Sequence, residues 1–238
     1  MNKIYSLLNV PCYDFQSEKE ITIHLSNLIV ENKGGYSVAI NAEKILSFNE
    51  DLEVNLIISN SILPYVDGFG AVIAFKFLYN INTIKINFPI IALNTACSHK
   101  FPIFILGSTE KNNRNACINI AKLFPGILIC GRLNGFFDSI DEVINQIHDS
   151  KPKLVFLALG SPKQEQCANE LLKFFPHTFF VGCGGAIDIL SGQKKRAPEF
   201  FIDNGLEWLY RLWKEPKRIR RQIRLPLFLL KLIKFKLS

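Results

Sequence analysis

The sequence lacks the cysteine and histidine spacings that mark disulfide-stabilised folds and zinc sites. No two of its six cysteines are separated by only two residues, and its four histidines are isolated from one another. Structural zinc sites place such ligands in close pairs, and disulfide frameworks belong mostly to small secreted domains. We therefore expect reduced thiols in a cytoplasmic setting and no metal site. The cysteines are Cys12, Cys97, Cys117, Cys130, Cys167 and Cys183.

Long apolar runs are also missing. A helix that crosses a bilayer needs about 20 apolar residues, whereas the best candidate, LPLFLLKLIKFKL at 225–237, is shorter and contains three lysines and Pro226. The first residues, MNKIYSLLNVPCYDF, do not have the pattern of a signal peptide, because a short apolar run is soon followed by an acid. We expect no transmembrane helix and no signal peptide, which leaves peripheral association with a membrane open.

Two nucleotide-binding fingerprints are absent. The chain contains neither G-x-G-x-x-G followed by an acid nor G-x-x-x-x-G-K-[ST], and GCGGAID at 182–188 is only loosely similar to the first. A nicotinamide-dependent oxidoreductase or a P-loop ATPase therefore has little support.

The chain does have a strong asymmetry of charge. Its formal net charge is +7, and from Lys214 onward nine lysines and arginines stand against one acid, Glu215. The preceding residues are therefore close to neutral overall. An anionic partner is expected at this tail, and the leucines between its basic residues favour a membrane surface over nucleic acid.

Composition and periodicity predict an α/β fold. Apolar residues make up 48% of the chain and charged residues 21%, which allows a large core. Continuous apolar runs, typical of strands buried on both faces, alternate with helix-like segments, and this order predicts a parallel sheet with flanking helices. Strands are predicted at 36–40, 62–66, 101–107, 127–131, 153–160 and 178–185, and helices at 42–59, 71–80, 111–124, 139–149 and 163–175.

Glycine-containing loops follow these predicted strands. They read DGFG (67–70), LGST (106–109), CGRLNGFF (130–137), LGSPKQE (159–165) and GCGGAID (182–188). The carboxyl ends of parallel strands meet at one edge of a sheet, where ligands bind, and the helices that follow present free N–H groups suited to phosphate. Five such loops favour a phosphate-bearing ligand over plain turns.

Two of these loops contain candidate functional side chains. Asp67 directly follows a predicted strand, where a carboxylate can act as a general base, although an aspartate before glycine is also common as a helix cap or in a turn. Lys163 and Gln164 follow Pro162 in LGSPKQEQ, where they can bind a sugar or diphosphate or can simply form a solvated helix start. The residues alone leave both questions open.

Arginines recur in the tail at intervals of seven and three. Arg211, Arg218 and Arg221 share one helical face if Pro216 does not displace it. The guanidinium group binds the oxygens of a diphosphate in a bidentate manner. The alternatives are a solvated basic face or contact with lipid headgroups.

Taken together, these motifs resemble the WecG/TagA/CpsF family of glycosyltransferases, glycosyltransferase family 26. The matching stretches are NAEKI, DGFG, FPIFILGS, LFPGILICGRLNGFF, ALGSPKQE, VGCGGAIDILSGQKKRAPEFF and GLEWLYRLWKEPKRIRR. The resemblance covers about residues 20–224. It implies a Rossmann-like α/β core at residues 1–195, and a basic, amphipathic helical appendage at 196–238 that completes the site and touches the membrane.

The resemblance also implies an activity. Members transfer a sugar from a UDP-sugar, with inversion, to undecaprenyl-diphosphate-linked GlcNAc or a similar lipid acceptor. The family's proposed general base corresponds to Asp67. Its substrate contacts correspond to Asn41, Lys85, Gln164, Arg211, Arg218 and Arg221, with the three arginines expected at the diphosphate.

No D-x-D pair is present to hold a metal in the manner usual for sugar nucleotides. No cofactor is therefore required by motif, and arginines and helix N-termini are expected to stabilise the leaving UDP. A divalent cation, Mn or Mg, can still assist at the diphosphate.

The chain departs from the family at the expected donor site. Members that use N-acetylmannosamine donors usually have Thr-x-Asn where this chain has Ala39-Ile40-Asn41, and an arginine where Lys85 stands. Because lysine offers a point charge rather than a fork, we expect a hexose donor, UDP-galactose or UDP-glucose. The alternative is transfer of N-acetylmannosamine or its uronic acid, as in enterobacterial common antigen or teichoic acid synthesis.

The expected setting is bacterial surface polysaccharide assembly of the O-antigen type, in the cytoplasm at the inner face of the cell membrane. The tail is expected to be the membrane contact, and nucleic acid is not an expected partner. A function of another class, a non-enzymatic module that binds membrane or nucleic acid through the tail, predicts that Asp67 is dispensable.

Overall fold

The computed structural model describes residues 3–194, 197–198, 200–201, 207–214 and 224–237. Its strands are β1 (Ile4–Leu7), β2 (Val10–Tyr13), β3 (Gly35–Ile40), β4 (Leu63–Val66), β5 (Ile103–Gly107), β6 (Ile129–Leu133), β7 (Leu154–Ala158) and β8 (Phe179–Gly182). Its helices are α1 (Glu18–Val30), α2 (Ala42–Phe48), α3 (Leu52–Ser59), α4 (Phe69–Tyr79), α5 (Phe88–His99), α6 (Glu110–Leu123), α7 (Ile140–Ser150), α8 (Lys163–Leu171), α9 (Ala186–Leu190), the helix Glu207–Lys214 and the C-terminal helix Leu225–Leu237.

Six strands form one parallel sheet in the order β4–β3–β8–β7–β5–β6. Apolar side chains from both faces of the sheet pack into two clusters beneath the flanking helices. Val38, Leu106 and Phe180 belong to one cluster, and Leu63, Ile105 and Val181 belong to the other. Burial on both faces explains the continuous apolar runs in the sequence, and the predicted Rossmann-like parallel sheet is confirmed.

The sequence did not predict the N-terminal hairpin. Strands β1 and β2 pair antiparallel around a two-residue turn at Leu8 and Asn9, both of which have positive φ. Two-residue hairpin turns usually reveal themselves by Asn-Gly or Asp-Gly. Leu8 occupies a position where such a turn usually has asparagine or aspartate, so the sequence does not indicate a hairpin here.

The helix predictions required correction. The segment 42–59 forms two helices rather than one, because Asp51 caps a new helix by accepting hydrogen bonds from the N–H groups of Glu53 and Val54 at 2.9 and 3.3 Å. Helices α1, α5 and α9 were not predicted. Helix α5 begins at Phe88 with Pro89 in its first turn, where proline is compatible with a helix.

The C-terminal helix packs on the core beside α2 and α4. Phe228 and Leu232 are buried within the cluster that contains Val38. Lys231 Nζ lies 2.7 Å from a Glu50 carboxylate oxygen, and Arg224 also pairs with Glu50. This part of the tail is therefore docked on the core, while the division at residues 195 and 196 stays a prediction.

None of the helices in the described ranges is both long and apolar enough to cross a membrane.

Candidate active site

The loops after the parallel strands gather at one edge of the sheet. Asn41 follows β3, Asp67 follows β4, and Gly184 lies two residues beyond β8. The N–H of Asp67 donates to the carbonyl of Ile40 at 2.8 Å, which holds the ends of β3 and β4 side by side. Residues far apart in the chain thus meet at the carboxyl edge, which is where ligands bind in open α/β sheets.

Asp67 is half-buried at this edge. Gly68, not Asp67, occupies the N-cap position of α4, so Asp67 is not the cap of that helix. Gly68 has φ +88, a conformation that strains any other residue. The loop thus presents the carboxylate at the start of a helix, and the prediction that it acts as a base stays open.

Tyr65 lies on the same strand as the Asp67 loop and is buried. Burial raises the pKa of its phenol well above the usual range, and the nearby negative charges of Asp67 and Glu165 raise it further. Tyr65 therefore keeps its proton at neutral pH and is not a candidate base.

Asn41 caps the neighbouring helix. Its side-chain oxygen accepts a hydrogen bond from the N–H of Lys44 at 3.0 Å, which fixes the first turn of α2. A Cβ at Gly70 would lie 2.9 Å from Cβ of Ala42, so glycine there lets α4 approach α2 closely. The structure therefore brings Asn41 and Asp67 together, as the resemblance implied.

Lys85 lies in the segment between α4 and α5 and is exposed. The N–H of the next residue, Ile86, donates to the carbonyl of Val66 at 3.1 Å. This bond keeps the segment against the end of β4, so Lys85 lies beside the Asp67 loop.

Gln164 lies in the first turn of α8 and is buried, as is Glu165 after it. Its side-chain oxygen accepts from the N–H of Gly184 at 3.0 Å, and its side-chain nitrogen donates to Glu165 Oε1 at 3.3 Å. The same Glu165 oxygen accepts from Lys44 Nζ at 2.8 Å. The solvated helix start considered from the sequence is therefore wrong for Gln164 and Glu165, whereas Lys163 is exposed. The role of Gln164 as a substrate contact stays a prediction.

A second polar cluster lies at the same edge, beyond β5 and β8, and the sequence did not single it out. Ser108 Oγ donates to Asp188 Oδ1 at 3.1 Å, and Asn112 Nδ2 lies 3.4 Å from the same oxygen. Lys194 Nζ is 3.4 Å from the other oxygen of Asp188. The loops LGST and GCGGAID that supply Ser108 and Asp188 were recognised, but the pairing of their side chains depends on strand order.

The basic tail is only partly described. Arg211 belongs to the helix Glu207–Lys214, of which the backbone is described at this position. Arg218 and Arg221 lie outside the described residues. Their predicted contact with a diphosphate stays a prediction.

Within the described ranges, no three His, Cys, Asp or Glu side chains are grouped as ligands for a metal ion. The edge holds a half-buried carboxylate, Asp67, with Lys85 and Asn41 in neighbouring segments, and helix N-termini there favour anions. Such an edge can bind a phosphorylated ligand and remove a proton from a hydroxyl group.

Comparison with known proteins identifies the family of this chain. A family model described as "Glycosyl transferase WecG/TagA/CpsF family" matches residues 5–238. An N-acetylglucosaminyldiphosphoundecaprenol N-acetyl-beta-D-mannosaminyltransferase from Bacillus spizizenii is 31% identical over 231 residues, which cover 91% of this chain and 87% of the relative. The chain therefore belongs to the WecG/TagA/CpsF family of glycosyl transferases.

Proposed function

We propose that this protein transfers N-acetylmannosamine from a UDP-sugar to GlcNAc-diphosphoundecaprenol, with inversion at the anomeric carbon. The observation that supports this most is the half-buried Asp67 carboxylate, which directly follows β4 at the ligand-binding edge of a family member's sheet. The similar relative from Bacillus spizizenii is named for the same acceptor and the same sugar.

In the proposed reaction Asp67 accepts the proton of the acceptor hydroxyl while that oxygen attacks the anomeric carbon. The bond between the sugar and UDP breaks, and the electron pair leaves with the diphosphate. The charge on the diphosphate is stabilised by Arg211, Arg218 and Arg221 of the tail and by helix N-termini at the edge. A divalent cation is expected to assist without being required.

A neutral hexose from UDP-galactose or UDP-glucose is the second candidate donor. The sequence alone favoured it, because Ala39 and Lys85 replace a hydroxyl and a guanidinium of the resembling members. The comparisons favour N-acetylmannosamine instead. The structure also weakens the argument from Ala39, because this side chain packs against an apolar cluster under the sheet.

The C-terminal helix supports a proposal of peripheral membrane contact. Its buried side holds Phe228 and Leu232, whereas Leu229, Leu230, Ile233 and Leu237 are exposed together with Lys234. An amphipathic helix with lysines among exposed leucines suits the interface of an anionic membrane. Such contact brings the carboxyl edge close to a lipid-linked acceptor at the cytoplasmic face.

A donor screen tests the proposal. Purified protein is incubated with a GlcNAc-diphosphate-lipid analogue and, separately, with UDP-N-acetylmannosamine, UDP-galactose and UDP-glucose. We expect a disaccharide product with UDP-N-acetylmannosamine. Product with a hexose donor alone would support the second candidate, and no product with any donor would contradict both.

A further inference from the structure

The ion pair between Lys44 and Glu165 is an unusual feature of the core. The two side chains are 15% and 2% exposed, and Lys44 Nζ lies 2.8 Å from Glu165 Oε1. Their residues are 121 positions apart in the chain, one on α2 and one on α8. A buried ion pair contributes little net stability, because removing both charges from water offsets most of their attraction.

The second carboxylate oxygen of Glu165 further reduces the stability that the ion pair can contribute. Glu165 Oε2 is buried and has no hydrogen-bond partner among the described residues. A buried oxygen without a partner destabilises a fold. Stability alone therefore does not account for a glutamate at this position.

Glu165 has a second contact that points to another role. Its Oε1 also accepts from Gln164 Nε2 at 3.3 Å, and this fixes which way the Gln164 amide is turned. With the nitrogen facing Glu165, the amide oxygen faces the N–H of Gly184 and accepts from it at 3.0 Å. A Cβ at Gly182 would lie 2.6 Å from Gln164 Nε2, so the end of β8 fits closely against this amide.

The Lys44–Glu165 ion pair is also connected to the Asn41 loop. Lys44, which binds Glu165 through Nζ, donates its backbone N–H to Asn41 Oδ1 at 3.0 Å. A continuous series of hydrogen bonds therefore runs from Asn41 through Lys44, Glu165 and Gln164 to Gly184. It joins the loops that follow β3 and β8, and Asn41 is in turn next to the end of β4 and Asp67.

We propose that Glu165 is a positioning residue for sugar transfer. Through its contact with the Gln164 amide it fixes the loop 182–185, and through Lys44 it fixes the Asn41 loop, so that both loops face Asp67 in one arrangement. The resemblance assigned Gln164 to substrate binding. In this proposal Gln164 instead holds the Gly184 backbone, by accepting a hydrogen bond from its N–H. The proposal depends on the proposed transferase activity, and its test includes a measurement that does not.

Two variants separate positioning from stability. In the double variant Lys44→Met, Glu165→Leu the ion pair is replaced by apolar side chains of similar size, a change that is often neutral or stabilising. This variant removes the acceptor for Gln164 Nε2. In Glu165→Gln the amide oxygen keeps an acceptor for Gln164, while the Lys44 ammonium loses its counter-charge and the fold becomes less stable.

The two variants should therefore rank in opposite orders in unfolding temperature and in kcat. We expect the double variant to unfold at a temperature no lower than Glu165→Gln, and yet to have a kcat lower by about 10²-fold than the wild type, the effect of a displacement of about 1 Å at a reacting centre. Its KM for the acceptor should not change. Glu165→Gln should retain more of the wild-type kcat although it unfolds earlier. Glu170→Gln, an exposed glutamate on the same helix, is the matched control and should match the wild type in both.

Hydrogen exchange at the Gly184 N–H gives a measurement that does not require activity. Exchange should be faster in the double variant and close to wild type in Glu165→Gln. Full kcat in the double variant, activity that simply follows unfolding temperature, or unchanged exchange at Gly184 would overturn the proposal. If the wild type transfers no sugar at all, the transferase assignment fails and the exchange measurement alone decides the role of Glu165.

Discussion

Asp67 and Glu165 are two carboxylates near the same edge of one sheet, and their surroundings differ. Glu165 is 2% exposed and shares one oxygen between Lys44 and Gln164. Asp67 is half-buried in a loop that begins a helix. A side chain that removes a proton must come within hydrogen-bond reach of its substrate. Exposure therefore favours Asp67 for the chemistry and leaves Glu165 to hold the protein's own groups.

A run of polar residues in the sequence does not reveal which of its side chains are buried. KQEQ at 163–166 is a run of polar residues, yet Gln164 and Glu165 are buried whereas Lys163 and Gln166 are exposed. The helix turns two of the four side chains inward. The buried two contact Gly184 and Lys44, and the exposed two lie at the surface, where Gln166 donates to Glu53.

The largest effect is expected for Asp67→Asn. The amide keeps the size of the side chain but cannot accept a proton, so kcat should fall by about 10²- to 10⁴-fold. Steady-state transfer to the lipid-linked acceptor measures it. Asp149→Asn, an exposed aspartate at the end of α7, is the control and should retain wild-type activity. Equal rates for Asp67→Asn and wild type would contradict the assignment of Asp67, rather than Glu165, to the chemical step.

Lys44→Met alone should strongly reduce stability. It leaves the Glu165 carboxylate buried without its counter-charge, which costs about 3 kcal/mol in the free energy of unfolding. Urea unfolding followed by circular dichroism measures the change. Lys33→Met, which removes a lysine from an exposed pair with Glu31, should change stability far less, because solvent screens an exposed pair. Similar losses in both variants would show that burial of the Lys44 pair does not matter.

Gly68→Ala should have a smaller effect on stability and a clear effect on activity. At φ +88 an alanine is strained by about 1 kcal/mol or more, and relaxation of the loop moves the adjacent Asp67. We expect a lower kcat with modest destabilisation. Gly126→Ala is the control, because Gly126 has a similar φ of +86 but precedes β6 at the opposite edge of the sheet, so this variant should be destabilised while its kcat stays unchanged. A fully active Gly68→Ala variant would show that the loop conformation is not needed to place the carboxylate.

The smallest effect on chemistry is expected for Leu230→Ser with Ile233→Ser. Both side chains are exposed on the C-terminal helix and touch neither carboxylate. The double variant should sediment less with vesicles that contain anionic lipid, while its turnover of a short-chain, water-soluble acceptor stays unchanged. Leu52→Ser with Leu56→Ser, on exposed positions of α3, is the control. Equal loss of sedimentation in both pairs would contradict a specific membrane role for the C-terminal helix.

Much of the fold could be predicted because the sheet is buried on both faces. Val38, Ile105 and Phe156 lie in continuous apolar runs that have few other interpretations. The β1–β2 hairpin could not be predicted, because Leu8 occupies a turn position that usually shows glycine or asparagine. Helix α5 was hidden by Pro89, whose place in a first turn is visible only once the helix is known.

The candidate site was predicted in part. Asp67 and Asn41 were identified from a loop and a resemblance, and the structure brings them together through the bond between Asp67 N–H and the Ile40 carbonyl. The partnership of Lys44 with Glu165 could not be predicted, since it depends on the adjacency of α2 and α8 and not on any local spacing. The same holds for Ser108 and Asp188, which meet across β5, β7 and β8.

The most direct test of the central claim is to measure donor binding and single-turnover transfer side by side in Asp67→Asn. We expect the variant to bind the UDP-sugar as tightly as the wild type and to form product in a single turnover at least about 10²-fold more slowly. A variant that transfers sugar at the wild-type rate, or that loses activity only because it no longer binds the donor, would contradict Asp67 as the base.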